Sequence, residues 1–145
     1  MVKLSVALDS LTKSQLFEIA KATQISVSQS KPKPEIIEHL SVELSSQQRL
    51  ERVTRGFDEK DICVIKMFLN QKKVRYDGMS QGEFARFLQN NMRMANSFAT
   101  CIHKLSTLGF IFTSVKIKEK DDPKVVFPSE YLRFFDDYLK LKQCP

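Results

Sequence analysis

One junction constrains this chain more than any other stretch. Phe98, Ile102, Leu105 and Leu108 recur at helical spacing, and Gly109 then leads into Phe110-Ile111-Phe112-Thr113-Ser114-Val115-Lys116-Ile117-Lys118. The first four put an apolar stripe on one helix face, and glycine after the last of them is a helix stop. The run that follows is rich in aromatic and β-branched residues and has the alternation of a strand. Glu119-Lys120-Asp121-Asp122-Pro123-Lys124 cannot continue a strand, and Val125-Val126-Phe127 reads as its return. A helix running directly into a β-hairpin is therefore expected.

The residues before this junction predict two more helices. Asp58 with Asp61 three positions on caps a helix that carries Ile62, Ile65, Met67, Phe68 and Leu69. Asp77-Gly78 is a turn signal, and Ser80 caps a second helix with Phe84, Phe87 and Leu88 on its buried side. Asn90-Asn91 is a short polar turn before the third helix, from about Met94 to Leu108, and this close succession is a helix-turn-helix signature. After the hairpin, Pro128-Ser129 opens a final helix with Tyr131, Leu132, Phe135, Tyr138 and Leu139 along one side. Phe134 and Phe135 span more than one face of it, which fits either a packed core helix or a dimer or partner contact.

Residues 1–44 read as a separate helical hairpin. Thr12 and Gln15 have the spacing of a capping box, and Leu16, Ile19 and Ala20 share the face that follows. Pro32 and Pro34 mark the start of a second helix with Ile36, Ile37, Leu40 and Leu44 as its stripe. Residues 45–57 turn polar and charged and are read as a linker, helical or flexible. Residues 58–145 then make the second domain.

Composition excludes several classes. Eleven Phe with no Trp and three Tyr put the aromatic mass into packing rather than exposed stacking platforms. Cys63, Cys101 and Cys144 are odd in number and far apart, so neither a disulfide framework nor a zinc site is expected. No run approaches the roughly 18 apolar residues of a membrane span, and no signal peptide is recognisable, which points to an intracellular protein, nuclear in a eukaryote or in the cytoplasm and nucleoid of a prokaryote. No nucleophile and base pair at a recognisable spacing, and there is no glycine-rich phosphate loop, so no enzyme, cofactor or small-molecule substrate is expected. The net charge is +6, and the window Ile62–Lys120 holds ten basic and three acidic residues, leaving the rest of the chain near neutral. Such a concentration attracts a phosphate backbone.

The succession Phe98, Ile102, Leu105, Leu108, Gly109, Phe110, Ile111 resembles the recognition helix and wing of winged-helix proteins, with a layout similar to MarR-type regulators and to winged domains of replication-initiator subunits. The segment from Leu11-Thr12-Lys13 to Glu38-His39-Leu40 resembles the SAP motif, a short DNA-binding helical module, with Gln24 and Ser30 where that family usually has glycine. The fold class implied is mainly α: a winged helix-turn-helix with a small β-hairpin wing, preceded by a helix-loop-helix.

In winged-helix proteins the third helix enters the major groove and the wing meets the backbone or minor groove. Asn96, Ser97, Thr100, His103 and Lys104 are the outward residues expected on that helix. Asn96 suits a base edge, Ser97 and Thr100 bases or phosphates, and Lys104 a phosphate. Lys116, Lys118, Lys120 and Lys124 of the hairpin would track the backbone, and Lys31 or Lys33 occupies the phosphate-facing place of the SAP motif. Without arginine on this face, the expected activity is largely electrostatic, weakly sequence-selective binding of double-stranded DNA, in transcription regulation or a replication or repair assembly. The alternative is a scaffold subunit whose winged helix binds protein, with a homodimer as one form of that.

Overall fold

The structure is a computed structural model that describes residues 2–71, 78–90, 95–116 and 122–143; the side chains of Met67, Leu88, residues 95–99, Lys142 and Gln143 lie outside the description. Helix formation starts earlier than the sequence suggests. A six-residue helix, α1 (Leu4–Asp9), buries Leu4, Ala7 and Leu8 although no side chain of its own flank caps it. The cap comes from Glu130, whose carboxylate oxygens accept the Leu4 N–H at 2.9 and 3.1 Å, while the Ser129 N–H donates to the Val2 carbonyl at 2.8 Å. A carboxylate at a helix N-terminus satisfies orphan donors and meets the positive end of the helix dipole. Residues 1–44 thus hold one helix more than expected, because the signal for it sits 126 positions away.

The next two helices form as their caps dictate. The Thr12 hydroxyl accepts the Gln15 N–H and the Gln15 side chain accepts the Thr12 N–H, at 3.2 and 2.8 Å, which opens α2 (Lys13–Thr23). Gln24 ends it at φ 60°, with the Ile25 N–H reaching back to the Ala20 carbonyl at 2.9 Å. That is the left-handed stop usually given to glycine, here held by a residue with a Cβ. Gln24→Gly is expected to stabilise the protein by about 0.5–1 kcal/mol, read as a higher urea midpoint at unchanged slope. Pro32 is the N-cap of α3 (Lys33–Leu44), which buries Ile36, Ile37, Leu40 and Leu44 as its spacing requires.

Residues 45–57 contain a helix, α4 (Gln47–Thr54), capped by the Ser46 hydroxyl and burying Arg49 and Leu50. Asp58 and Asp61 then cap each other at 3.0 and 3.1 Å, opening α5 (Glu59–Asn70) with Val64, Ile65, Phe68 and Leu69 inward. Strand β1 (Met79–Ser80) leads into α6 (Gln81–Asn90), and the Ser80 hydroxyl accepts the Glu83 N–H at 3.2 Å. Phe84 and Phe87 both lie 5.7 Å from the Phe68 ring and close the layer between α6 and α5. The third helix is α7 (Ala95–Thr107). The turns expected at Asp77 and at Asn91, and Ile117 to Asp121 of the hairpin, fall outside the described residues.

Gly109, at φ +83°, stops α7 as its position implies. The Gly109 N–H bonds the Ser106 carbonyl and the Phe110 N–H the Leu105 carbonyl, at 3.1 and 2.9 Å, the paired pattern of a Schellman stop. Strands β2 (Phe112–Val115) and β3 (Lys124–Val126) follow and pair antiparallel, with an irregularity between Phe112 and Val115. The sequence did not point to the pairing of β1 with β3, Met79 opposite Val125 and Ser80 opposite Lys124, because two residues are too few to alternate visibly. Among the described residues the sheet is β1-β3-β2, so the return strand is central. A 3-10 turn (Ser129–Tyr131) opens α8 (Leu132–Gln143), which buries Leu132, Phe135 and Leu139 and half-buries Tyr138. The protein is mainly helical with a small antiparallel sheet.

Helices α1–α4 share one buried core with the rest. A Cβ at Gly109 would stand 3.2 Å from Leu44 Cδ1 and 3.6 Å from Ile19 Cγ2, so the turn after α7 is packed directly on α3 and α2. The joint is held by polar groups as well. Arg49 donates to the carbonyls of Leu44 and Leu108, each at 2.7 Å, and its guanidinium lies 5.1 Å from the Phe110 ring centre. The Tyr131 hydroxyl donates to the Gly109 carbonyl at 2.9 Å, and burial pushes its phenol well above the ordinary tyrosine range.

Candidate nucleic-acid interface

Helix α7 has one face settled by packing. Cys101 and Leu105 are buried and Ile102 and Leu108 are partly buried against the core, while Thr100 and His103 are exposed on the other side. This is the sidedness the stripe predicted, since residues three and four apart share a face. Asn96 and Ser97 lie in the helix, but their side chains are outside the description.

Lys104 departs from the expectation. Its ammonium bonds Asp61 Oδ2 at 2.6 Å and sits 5.7 Å from the Phe57 ring centre, in the seam between α7 and α5. Asp61 is 1% exposed, so the charge of this lysine is paired with a buried carboxylate, while the lysine side chain itself stays 42% exposed. The sequence identified Asp61 as a cap; nothing local announces that Oδ2, the oxygen that accepts the Asp58 N–H, also takes a cation from α7. The same carboxylate holds the neighbouring Cys101 thiol above its usual range, after burial as the larger cause, which keeps it a small apolar filler.

The other cations separate in the same way. Lys116, just after β2, is exposed, and Lys124, first in β3, is half-buried in the ladder. Lys118 and Lys120 lie outside the described residues. Lys31 is exposed in the loop before α3, whereas Lys33 donates to the Asp9 carbonyl at 2.9 Å and stands 3.9 Å from its carboxylate, joining α3 to the end of α1. Of the two lysines offered for the phosphate-facing place, Lys33 is thus engaged within the protein.

A neighbour that the sequence did not bring into view also borders this face. Gln15 and Glu18 of α2 line a groove of about 250 Å³ together with His103 and Thr107 of α7 and Thr113 and Ser114 of β2. Glu18 is exposed there and places a negative charge beside the helix. Among the described residues no group of three or more His, Cys, Asp or Glu could hold a metal ion, and no helix is long and apolar enough to cross a membrane. Cys63 is partly exposed, and Cys144 is outside the described residues.

Compared with protein families, curated proteins and solved structures, the chain matches none of them. Geometry and charge therefore carry the functional reading.

Proposed function

We propose that residues 58–142 are a winged helix that meets double-stranded DNA through the exposed side of α7 and the β2–β3 hairpin. The observation that carries this reading is the sidedness of α7 directly upstream of a hairpin with a lysine at its outer strand. Thr100 and His103 face outward, Leu105 and Cys101 inward, and Lys116 is exposed where β2 ends. The order α5, β1, α6, α7, β2, β3 with β3 central agrees with a helix-turn-helix closed by a wing. An α-helix of ordinary width fits the major groove, and a hairpin beside it reaches the phosphates. Thr100 and His103 are short polar groups suited to bases or phosphates, and selectivity is weak because no arginine joins them. The excess of positive charge between Ile62 and Lys120 supplies the attraction.

The test is binding of a random-sequence duplex of about 25 base pairs across a salt series, because each neutralised phosphate contributes about 0.9 to the slope of log affinity against log salt. A Lys116→Gln, Lys124→Gln double variant is expected to flatten that slope by about one to two units. Lys104→Gln is expected to leave the slope unchanged, because its charge is taken by Asp61. No binding at low salt, or the same slope in the double variant, would sink the reading.

A second reading, a scaffold subunit that binds protein, is favoured by a groove of about 500 Å³ between α4 and α8. Phe134, Tyr138 and Leu141 line it at helical spacing, and Leu141 is 76% exposed. One exposed leucine beside two half-buried aromatic rings on the same helix face suits a partner surface. Failure of the duplex to bind would move the function to this groove.

A further inference from the structure

Arg49 is 4% exposed, yet among the described residues no carboxylate pairs with it. A charge removed from water without a counter-charge is costly, and the usual remedy is an ion pair. Here two guanidinium nitrogens reach the Leu44 and Leu108 carbonyls, and Nε has no hydrogen-bond partner. Carbonyl dipoles offset part of a full charge and leave the rest. Burial lowers the Arg49 pKa; Tyr131 acts against that shift, and a second cation, Arg52, adds to it. Arginine nevertheless stays protonated at neutral pH.

Beside this cation a pocket of about 360 Å³ opens to the surface. Arg52 and His39 join Arg49 in its wall, and the loop after α2 contributes Gln24 and Ser26. Gln24 is there in the left-handed conformation that a glycine would adopt more easily, and a side chain kept in such a place suggests a use for it. Glu43 is the carboxylate of the wall. Arg49, Arg52 and Glu43 together give the lining a net charge of +1.

We propose that this pocket binds a phosphate-type oxyanion, with Arg49 and Arg52 supplying the charge, Gln24 and Ser26 the neutral donors, and Glu43 a place for the proton that phosphate carries. The reading is independent of whether α7 meets DNA. Charge-assisted bonds from arginine suit a tetrahedral oxyanion, and arginine presents several donors in a fixed fork. Glu43 sets the selectivity. A phosphate or phosphomonoester oxygen that keeps its proton donates to the carboxylate, while sulfate has no proton to give and meets it as one anion meets another. The bound anion also completes the environment of a guanidinium that ties the end of α3 to the end of α7, so binding raises stability by mass action.

The experiment is thermal unfolding of the full chain with inorganic phosphate up to about 50 mM at constant ionic strength, with sulfate as the matched salt, since both are excluded from protein surfaces and stabilise generally. Phosphate is expected to raise Tm by a few degrees beyond sulfate and to saturate. Arg52→Gln, a change at an exposed residue, is expected to weaken the calorimetric affinity at least about tenfold. Glu43→Gln is expected to let sulfate bind as well as phosphate. A parallel titration with O-phosphoserine tells a phosphorylated side chain, which would bind more tightly than the free ion, from free phosphate, which would bind at least as well. Equal effects of phosphate and sulfate on the unaltered protein would overturn the proposal, as would an undiminished phosphate response in Arg52→Gln.

Discussion

Replacing Phe135 by alanine is expected to lower the unfolding free energy by about 4 kcal/mol. The side chain is fully buried on α8 and its ring touches five others. Phe110, Phe127 and Phe134 meet it edge-on at 5.3, 5.7 and 5.3 Å between ring centres, Phe57 stacks on it at 6.3 Å, and Tyr138 lies edge-on at 6.1 Å. Truncation removes the transfer energy of the ring and leaves a hole whose walls are themselves rigid rings, so collapse into it is limited. Edge-on pairs add about 0.5–1.5 kcal/mol beyond their area. The effect is measured by urea unfolding, where the midpoint falls at unchanged slope. A loss under about 1.5 kcal/mol would mean that Phe57 and Phe134 move in to fill the space.

Arg49→Met is expected to cost about 3 kcal/mol, since it strips a donor from two carbonyls and each buried acceptor left alone costs about 1–3 kcal/mol. Methionine restores much of the packing on Phe110 and ends the burial of the charge, which works in the opposite direction. The orphaned Leu44 and Leu108 carbonyls dominate because they close α3 and α7, where Arg49 is the donor that bonds them. In a chain of this size the loss corresponds to a fall in Tm of about 10 °C. An unchanged Tm would show that the relief of the buried charge cancels the two lost bonds.

Much of this architecture was legible because it is local. Thr12 with Gln15, Asp58 with Asp61, and Ser80 each cap the helix their spacing promised, and Gly109 stops α7 where the apolar stripe ends. The hairpin and the final helix were legible for the same reason. Periodicity reports which face of an element is apolar, and here it identified Leu105 as buried, while Phe135, also offered as a partner contact, is fully buried in the core.

Pairings between distant residues were not legible. Lys104 reads as an outward cation because it lies off the apolar stripe of its helix, and its engagement with Asp61 depends on how α7 crosses α5. Arg49 sits in a stretch so polar that it reads as linker, yet it is buried because the ends of two helices converge on it. The exposure of Thr100, His103 and Lys116 was legible, because it follows from their own elements. The contribution of Glu18 to its border follows from the docking of α2, which no spacing encodes.

The cap on α1 has a consequence for how the chain is made. Leu4 is made before the carboxylate that fixes it, which belongs to residue 130 and at about 5–20 residues per second follows roughly 6–25 s later. Through that interval α1 is six residues without a cap, too short to persist alone, and Leu4 and Leu8 stay uncovered. Residues 4–9 thus reach their final place only after residue 130 has been made, and during that time they offer an apolar segment to chaperones that bind emerging chains.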